Sequence, residues 1–218
     1  MEIEAKIELD DIHEMRDLER KLASMVKKDA DANPKIQPIL HDIVERNLIY
    51  TRPNATDSND GFLRIRYETY ILPPCGNGFA HYSYHDRTIL THKDRNTGEG
   101  MNCREEDEAE IHIPNGQAFE NVIKKLGLEF FTCYAKQRQV AGFSNSVFVS
   151  LDLVAAAEKR FSYLPRPDKN GTEKLESYSW RKFIEIEGPA EKDVLEMMKK
   201  LGLEGKPIIK ESYEEIFK

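Results

Sequence analysis

Hydrophobic and polar residues alternate with a period of two through much of this chain. Glu2, Glu4, Lys6 and Glu8 fall on one side of the first segment, with Ile3, Ala5, Ile7 and Leu9 on the other, the pattern of a strand with one apolar face. The same period returns where Arg64 and Arg66 alternate with Leu63 and Ile65, and where Arg104, Glu106, Glu108 and Glu110 share a parity. It returns again at Lys136 and Arg138, at Asp152 between Leu151 and Leu153, and at Glu185 and Glu187 between Ile184 and Ile186. Turn residues separate these runs: Pro53-Asn54, Pro73 to Gly78, Thr97 to Gly100, and Gly142, so Pro73 to Gly78 is expected to close a hairpin between strands near 62–72 and 79–93. Many alternating strands joined by short turns predict an antiparallel sheet or barrel.

Three segments follow the helical period instead. Residues 11–28 set Ile12, Met15, Leu18, Leu22 and Met25 on one stripe, with Asp11 and Glu14 spaced as a capping box. Residues 115–126 carry Phe119, Val122, Ile123 and Leu126 before Gly127, and residues 190–201 carry Val194, Met197, Met198 and Leu201 before Gly202; glycine there suits the left-handed residue that ends a helix. These two helices belong to an internal repeat. EIHIPNGQAFENVIKKLGLE (110–129) lies over EIEGPAEKDVLEMMKKLGLE (185–204) with nine of twenty positions identical, which puts Glu110 on the face that Glu185 occupies. The fold class expected is α+β, a barrel with amphipathic helices packed on its outside.

Composition narrows the setting. At 218 residues the chain suits a single domain, residues 1–218; the polar, proline-bearing stretch 157–178 reads as a loop insertion within it. No apolar run is long enough for a membrane span, and MEIEAKIELD has neither the basic start nor the apolar stretch of a secretory signal. Three widely spaced cysteines suggest a reducing compartment and no disulfide framework, so the expected location is cytoplasmic. A formal charge of −7 argues against duplex nucleic acid as the main partner. The six histidines show no ligand spacing, and Trp180, the one tryptophan, is expected in the core.

Charged residues make up 33% of the chain, above the usual quarter, and the direction in which the charged face points decides their meaning. A solvated sheet face alternates in the same way without any function. Here, however, the three amphipathic helices can cover the apolar parity, which turns the charged parity inward if the sheet closes. The inward acids are then Glu2, Glu4, Glu106, Glu108, Glu110, Asp152, Glu185 and Glu187, and the inward bases Lys6, Arg64, Arg66, Lys93, Arg104, Lys136 and Arg138. So many buried charges need water, a metal ion and an anionic ligand to be tolerated. Clustered carboxylates suit Mg²⁺ or Mn²⁺, and paired arginines suit phosphate oxygens. The class implied is a metal–polyphosphate site.

The motifs that carry these charges resemble the CYTH family, the triphosphate tunnel metalloenzymes that include class IV adenylyl cyclases and thiamine triphosphatases. Glu2 to Lys6 is similar to its E-x-E-x-K opening, Leu63-Arg64-Ile65-Arg66 to L-R-I-R, and Leu90-Thr91-His92-Lys93 to L-T-x-K. Arg104 to Ile111, Lys136-Gln137-Arg138, Leu151-Asp152, Phe183 to Glu187 and Lys210 to Tyr213 follow in the family's order. The resemblance implies an eight-stranded antiparallel closed barrel, charged inside, that binds a triphosphate with a divalent metal. It implies that Glu2, Glu4, Asp152, Glu185 and Glu187 hold the metal. Lys6, Arg64, Arg66, Lys136, Arg138 and Lys210 would hold phosphates, with Arg104 in the same lining, and Lys93 with Tyr50 would position or deprotonate the attacking water. Glu106, Glu108 and Glu110 take an unspecified tunnel role.

Departures from the pattern fall away from these sets: Glu45, Asn47 and Ile49 stand where the family often has Q-x-D-x-Y, Arg95 stands for a proline, and Asp107 and Ala109 stand for aromatic residues. They bear on the organic part of the substrate. Triphosphate hydrolysis is favoured, because it needs only a positioned water. An adenylyl cyclase making cyclic AMP, and a polyphosphate- or nucleotide-binding protein without turnover, are the alternatives.

Overall fold

A computed structural model describes residues 2–33, 40–53, 61–72, 83–93, 102–104, 106–161 and 179–217. Among these residues, nine strands form one antiparallel sheet: β1 (Glu2–Glu8), β2 (Leu40–Thr51), β3 (Phe62–Leu72), β4 (Ser83–Lys93), β5 (Asn102–Arg104), β6 (Glu106–Glu110), β7 (Glu129–Gly142), β8 (Phe148–Ala156) and β9 (Arg181–Gly188). Their order is β5-β1-β9-β8-β7-β2-β3-β4-β6. The expected hairpin is present, with Leu72 paired to Ser83 across β3 and β4; its turn, and the stretch 162–178, lie outside the described residues.

The two edge strands are nearly one strand. Arg104 at the end of β5 pairs with Glu2, and Glu106 at the start of β6 pairs with Lys93. Only residue 105 lies between them, so their Cα atoms are at most about 7.6 Å apart. The sheet therefore curls until its edges approach each other, although no hydrogen-bonded ladder joins β5 to β6 among the described residues. Counted as one, β5 and β6 give the eight strands expected.

Among the described residues, four helices accompany the sheet: α1 (Ile12–Ala32), α2 (Gly116–Lys125), α3 (Glu191–Leu201) and the short α4 (Tyr213–Ile216). Asp11 caps α1 by accepting from the backbone N–H groups of His13 and Glu14 at 2.7 and 2.9 Å, while the Glu14 carboxylate accepts from Asp10 N–H at 2.9 Å, one residue before the position a capping box would use. Met15, Leu18, Leu22 and Val26 of α1 and Val194, Met197, Met198 and Leu201 of α3 are buried against Ala5, Ile7, Leu151, Ile184 and Ile186 of the sheet. Ile123 of α2 packs on Leu48, Tyr50, Ile65, Tyr67 and Cys133. The apolar parity thus faces the long helices, which leaves the charged parity to the other face. No described helix is long and apolar enough to cross a membrane.

The KKLGLE ending folds the same way twice. Gly127 and Gly202 have φ of 80° and 79°, and in each the following leucine N–H returns to the helix, Leu128 to Ile123 O at 3.2 Å and Leu203 to Met198 O at 2.9 Å. The two helices are nevertheless rolled differently on the sheet: Glu120 of α2 is buried, whereas its counterpart Leu195 is exposed.

Candidate active site

On five strands the charged face is layered along its length. β3 carries Phe62, then Arg64, then Arg66; β7 carries Tyr134, Lys136 and Arg138; β9 carries Phe183, Glu185 and Glu187. Running the opposite way, β8 carries Val154, then Asp152, and β2 carries Ile49, Asn47 and Glu45. The first residue of each series is apolar or aromatic, and these five form one cluster with Tyr213. The residues two and four positions on are mostly charged, and those of β3, β7 and β9 line a cavity of about 450 Å³. The interior is therefore not charged from end to end; one end has a hydrophobic floor.

The cavity brings together Glu4, Lys6, Arg64, Arg66, Lys93, Glu108, Lys136, Arg138, Glu185 and Glu187. Carboxylate oxygens of Glu4, Glu185 and Glu187 lie within 4.8 Å of one another, because β1 pairs with β9 in the register Glu4↔Glu187 and Lys6↔Glu185. Lys6 Nζ stands 3.4 Å from Glu4 and 3.6 Å from Glu185, over the Tyr213 ring at 4.4 Å. Burial opposes ionisation of Glu185, but Arg138, Lys6 and Lys136 outweigh it and hold the carboxyl well below the usual range. Three hard oxygen donors so close together fit Mg²⁺ or Mn²⁺.

Across the cavity, Glu108 Oε1 accepts from Arg64 Nη2 at 3.2 Å, Arg66 Nη2 at 3.0 Å and Thr91 Oγ1 at 2.9 Å. One half-exposed carboxylate thus sits where three donors converge on an anion.

Several expected residues are placed elsewhere. Tyr50 is turned away from the cavity: it lies in the outer cluster with Leu48 and Ile123, edge-on to Phe130 at 5.9 Å, and burial raises its hydroxyl far above the ordinary tyrosine value. That removes it from the water-activating role. Asp152 lies outside the glutamate trio. It accepts from Arg138 Nε at 2.8 Å, Arg138 Nη2 at 2.6 Å and the Tyr213 hydroxyl at 2.9 Å, and burial lifts its carboxyl above the usual value against the pull of Arg138. Its oxygens act as an anchor for Arg138 rather than as ligands grouped with the trio. Lys210 and Glu110 are exposed and do not line the cavity. The side chains of Glu2, Arg104 and Glu106 lie outside the described residues.

Further residues join this network without a role in the site assigned from the sequence. Glu45, 1% exposed, pairs with Lys136 at 3.2 Å and accepts from Asn47 Nδ2 at 3.2 Å. Glu68 accepts from Arg87 Nε and pairs with Arg66 Nε, both at 2.6 Å. Tyr134, Tyr213 and Glu214 line the cavity's floor side. The two-residue spacing of Glu45 and Asn47 was the available signal for β2; nothing in the local pattern marks Glu214.

Glu45 ties this site to stability. Burial would raise its carboxyl, but Lys136, Arg66 and Arg138 bring it down to about 2 from 4.5. A carboxylate depressed in the folded state contributes stability above its unfolded pKa, and loses it as pH falls from about 4.5 toward 2. The contribution is at most roughly 3 kcal/mol. Glu45→Gln should therefore be less stable than wild type by the largest margin above pH 5, with the gap narrowing on acidification. Urea titrations at pH 7 and pH 3 that show a constant gap would remove Glu45 from this role.

No protein-family profile and no curated protein matches the chain. Among solved structures, the chain is similar to the PH1819 protein of Pyrococcus horikoshii OT3, with 21% identity and a TM-score of 0.59 over 99% of this chain and 97% of that one. It is also similar to the PH1012 protein of the same organism, with 18% identity and a TM-score of 0.61 over 100% of both chains. A third is the Hippeastrum protein HpAC1, a proposed adenylyl cyclase that reveals a dominant triphosphatase activity; it shares 19% identity and a TM-score of 0.55 over 100% of this chain and 95% of that one. The shared fold agrees with the CYTH resemblance of the motifs.

Proposed function

We propose that this chain is a single CYTH-type tunnel domain whose sheet closes between β5 and β6, and that it cleaves a triphosphate with the help of Mg²⁺ or Mn²⁺. The observation that carries this reading is one cavity in which the Glu4, Glu185 and Glu187 oxygens lie within 4.8 Å of one another and share the lining with Lys6, Arg64, Arg66, Lys93, Lys136 and Arg138. Trio and cations together match a polyphosphate that carries a divalent ion. The ion, held by the trio, would neutralise phosphate charge and polarise the anhydride that breaks.

The chain's own residues supply the rest. Arg64, Arg66 and Thr91 now converge on the Glu108 carboxylate, which holds the place of a phosphate oxygen until substrate displaces it. Lys136 and Arg138 are fixed by Glu45 and by Asp152, so their charges are in position before substrate arrives and cost little reorganisation in the transition state. Lys93, paired across the sheet with Phe62 and lining the cavity, takes the role of orienting the attacking water.

Arg66→Ala removes one of the donors on that anion position. It should raise the KM for triphosphate on the order of tenfold or more, with a smaller effect on kcat; unchanged kinetics would place Arg66 outside the binding track.

The decisive experiment incubates the protein and Mg²⁺ or Mn²⁺ with inorganic triphosphate, ATP or thiamine triphosphate. Orthophosphate release, lost on chelation, is the expected result. Pyrophosphate equal to cyclic AMP would make the protein an adenylyl cyclase, a reading favoured by the name of the HpAC1 neighbour. Binding without any product would leave a polyphosphate-binding protein.

A further inference from the structure

The lining of the cavity holds one carboxylate that neither the metal nor the phosphates require. Among the described residues, its carboxylates are Glu4, Glu108, Glu185, Glu187 and Glu214. Glu4, Glu185 and Glu187 form the trio that suits a divalent ion, and Glu108 occupies the point where Arg64, Arg66 and Thr91 converge. Glu214 belongs to neither group. It comes from α4, is 3% exposed, and adjoins the cluster of Phe62, Tyr134, Phe183 and Tyr213. An aromatic floor does not require a carboxylate, and burying one there costs stability that an alkyl side chain would not.

Local structure aims this side chain. Ser212 donates to Glu215 Oε2 from its N–H at 2.8 Å and from its hydroxyl at 3.1 Å, so the second of two adjacent glutamates caps α4 and the first lines the cavity. The segment is held to the strands by Ile209 N–H on Lys6 O at 2.7 Å and by the Tyr213 hydroxyl on Asp152 at 2.9 Å. Glu214 Oε1 accepts from the Tyr134 hydroxyl at 3.2 Å. Burial lifts that phenol well above its ordinary value, so it stays a donor, and the same hydroxyl bonds with Arg64. Phe62, which packs with Tyr134, is paired across the sheet with Lys93. Glu214 therefore lies on the side of the cavity where Lys93 is anchored.

Water attacking a phosphorus must give up a proton. An ammonium has three donors and no acceptor, so Lys93 in that form can orient the water and cannot take its proton. We infer that Glu214 is the proton acceptor for the attacking water. The inference rests on the hydrolytic reading above. The water oxygen forms a bond to the terminal phosphorus, and the bond from that phosphorus to its bridging oxygen breaks. The bridging oxygen leaves with the electron pair as a terminal oxygen of the departing diphosphate, and lysines and arginines of the lining meet its charge. The water proton passes to the Glu214 carboxylate and from there to solvent.

The test compares wild type with Glu214→Gln and Glu214→Asp, using inorganic triphosphate and Mn²⁺ and scoring orthophosphate. The amide keeps the size and an acceptor oxygen for Tyr134 but cannot take a proton; the shorter acid can. Glu214→Gln should lower kcat by about a hundredfold or more, with the KM for triphosphate and the melting temperature close to those of wild type. Glu214→Asp should recover about tenfold or more of that loss. A wild-type kcat in Glu214→Gln, a change in KM alone, or equal losses in both variants with lowered melting temperatures would each overturn the inference and leave the triphosphate reading intact. If the amide variant does not fold, Glu214→Asp is compared with wild type, and an unchanged kcat overturns the inference. No orthophosphate from the wild-type protein would overturn both readings.

Discussion

Glu185→Gln is expected to lower metal-dependent turnover by roughly a hundredfold or more, while the protein stays folded. Glu185 joins several groups in the cavity: it groups with Glu4 and Glu187, stands 3.6 Å from Lys6, and pairs with Arg138. An amide keeps the shape and one acceptor oxygen but removes the charge that attracts a divalent ion. Arg138 retains its two bonds to Asp152, so the damage to folding is limited. The check is the rate as a function of Mn²⁺ concentration. The variant should need more metal and still reach a lower plateau. Full turnover with unchanged metal dependence would show that the glutamate trio is not the metal site.

Arg138→Ala should produce the largest loss of stability. Arg138 compensates two carboxylates at once, Asp152, which is 0% exposed, and Glu185, which is 5% exposed. Its removal leaves them buried without that cation, a change that costs about 3–5 kcal/mol and shifts the melting temperature of a chain this size down by roughly 6–20 °C. The pH dependence identifies the cause. Burial already lifts the Asp152 carboxyl above its usual value, and loss of Arg138 lifts it further. A carboxyl raised in the folded state favours folding when protonated and opposes it as pH rises through its folded pKa. The deficit should therefore be largest near neutral pH and shrink on acidification. A deficit independent of pH would mean that packing of the arginine stem, not charge, is what the variant loses.

The period-two alternation made the face of each strand legible, because parity is a local property of the backbone. Arg64 and Arg66, Lys136 and Arg138, and Glu185 and Glu187 all face the cavity as their spacing required. Parity says nothing about position along the cavity axis, which depends on register between strands far apart in sequence. For that reason the aromatic floor was not foreseen, although Phe62, Tyr134 and Phe183 each lie two residues before a charged member of the lining. Asp152 shows the same gap: its ladder position was clear, but its bond to Arg138 exists only once β7 and β8 are paired. Tyr50 was assigned by family likeness against its own parity. It alternates with the inward Ile49 and shares its face with Leu48, in the same outer cluster. The internal repeat correctly predicted two helices with identical C-terminal turns. It did not predict their different roll, because Lys159 pairs with Glu120 on α2 and nothing comparable holds Leu195.

The pairing of β1 with β9 has a consequence for how the protein comes into being. Glu4 is synthesised long before its neighbours Glu185 and Glu187. Contacts of such sequence separation form slowly, because loop-closure entropy is lost before they contribute anything. A nascent chain therefore exposes β1 until β9 has been made, and only the sheet that pairs them groups Glu4 with Glu185 and Glu187. A divalent cation that bound this trio and not the incomplete chain would draw late intermediates toward the native state by mass action.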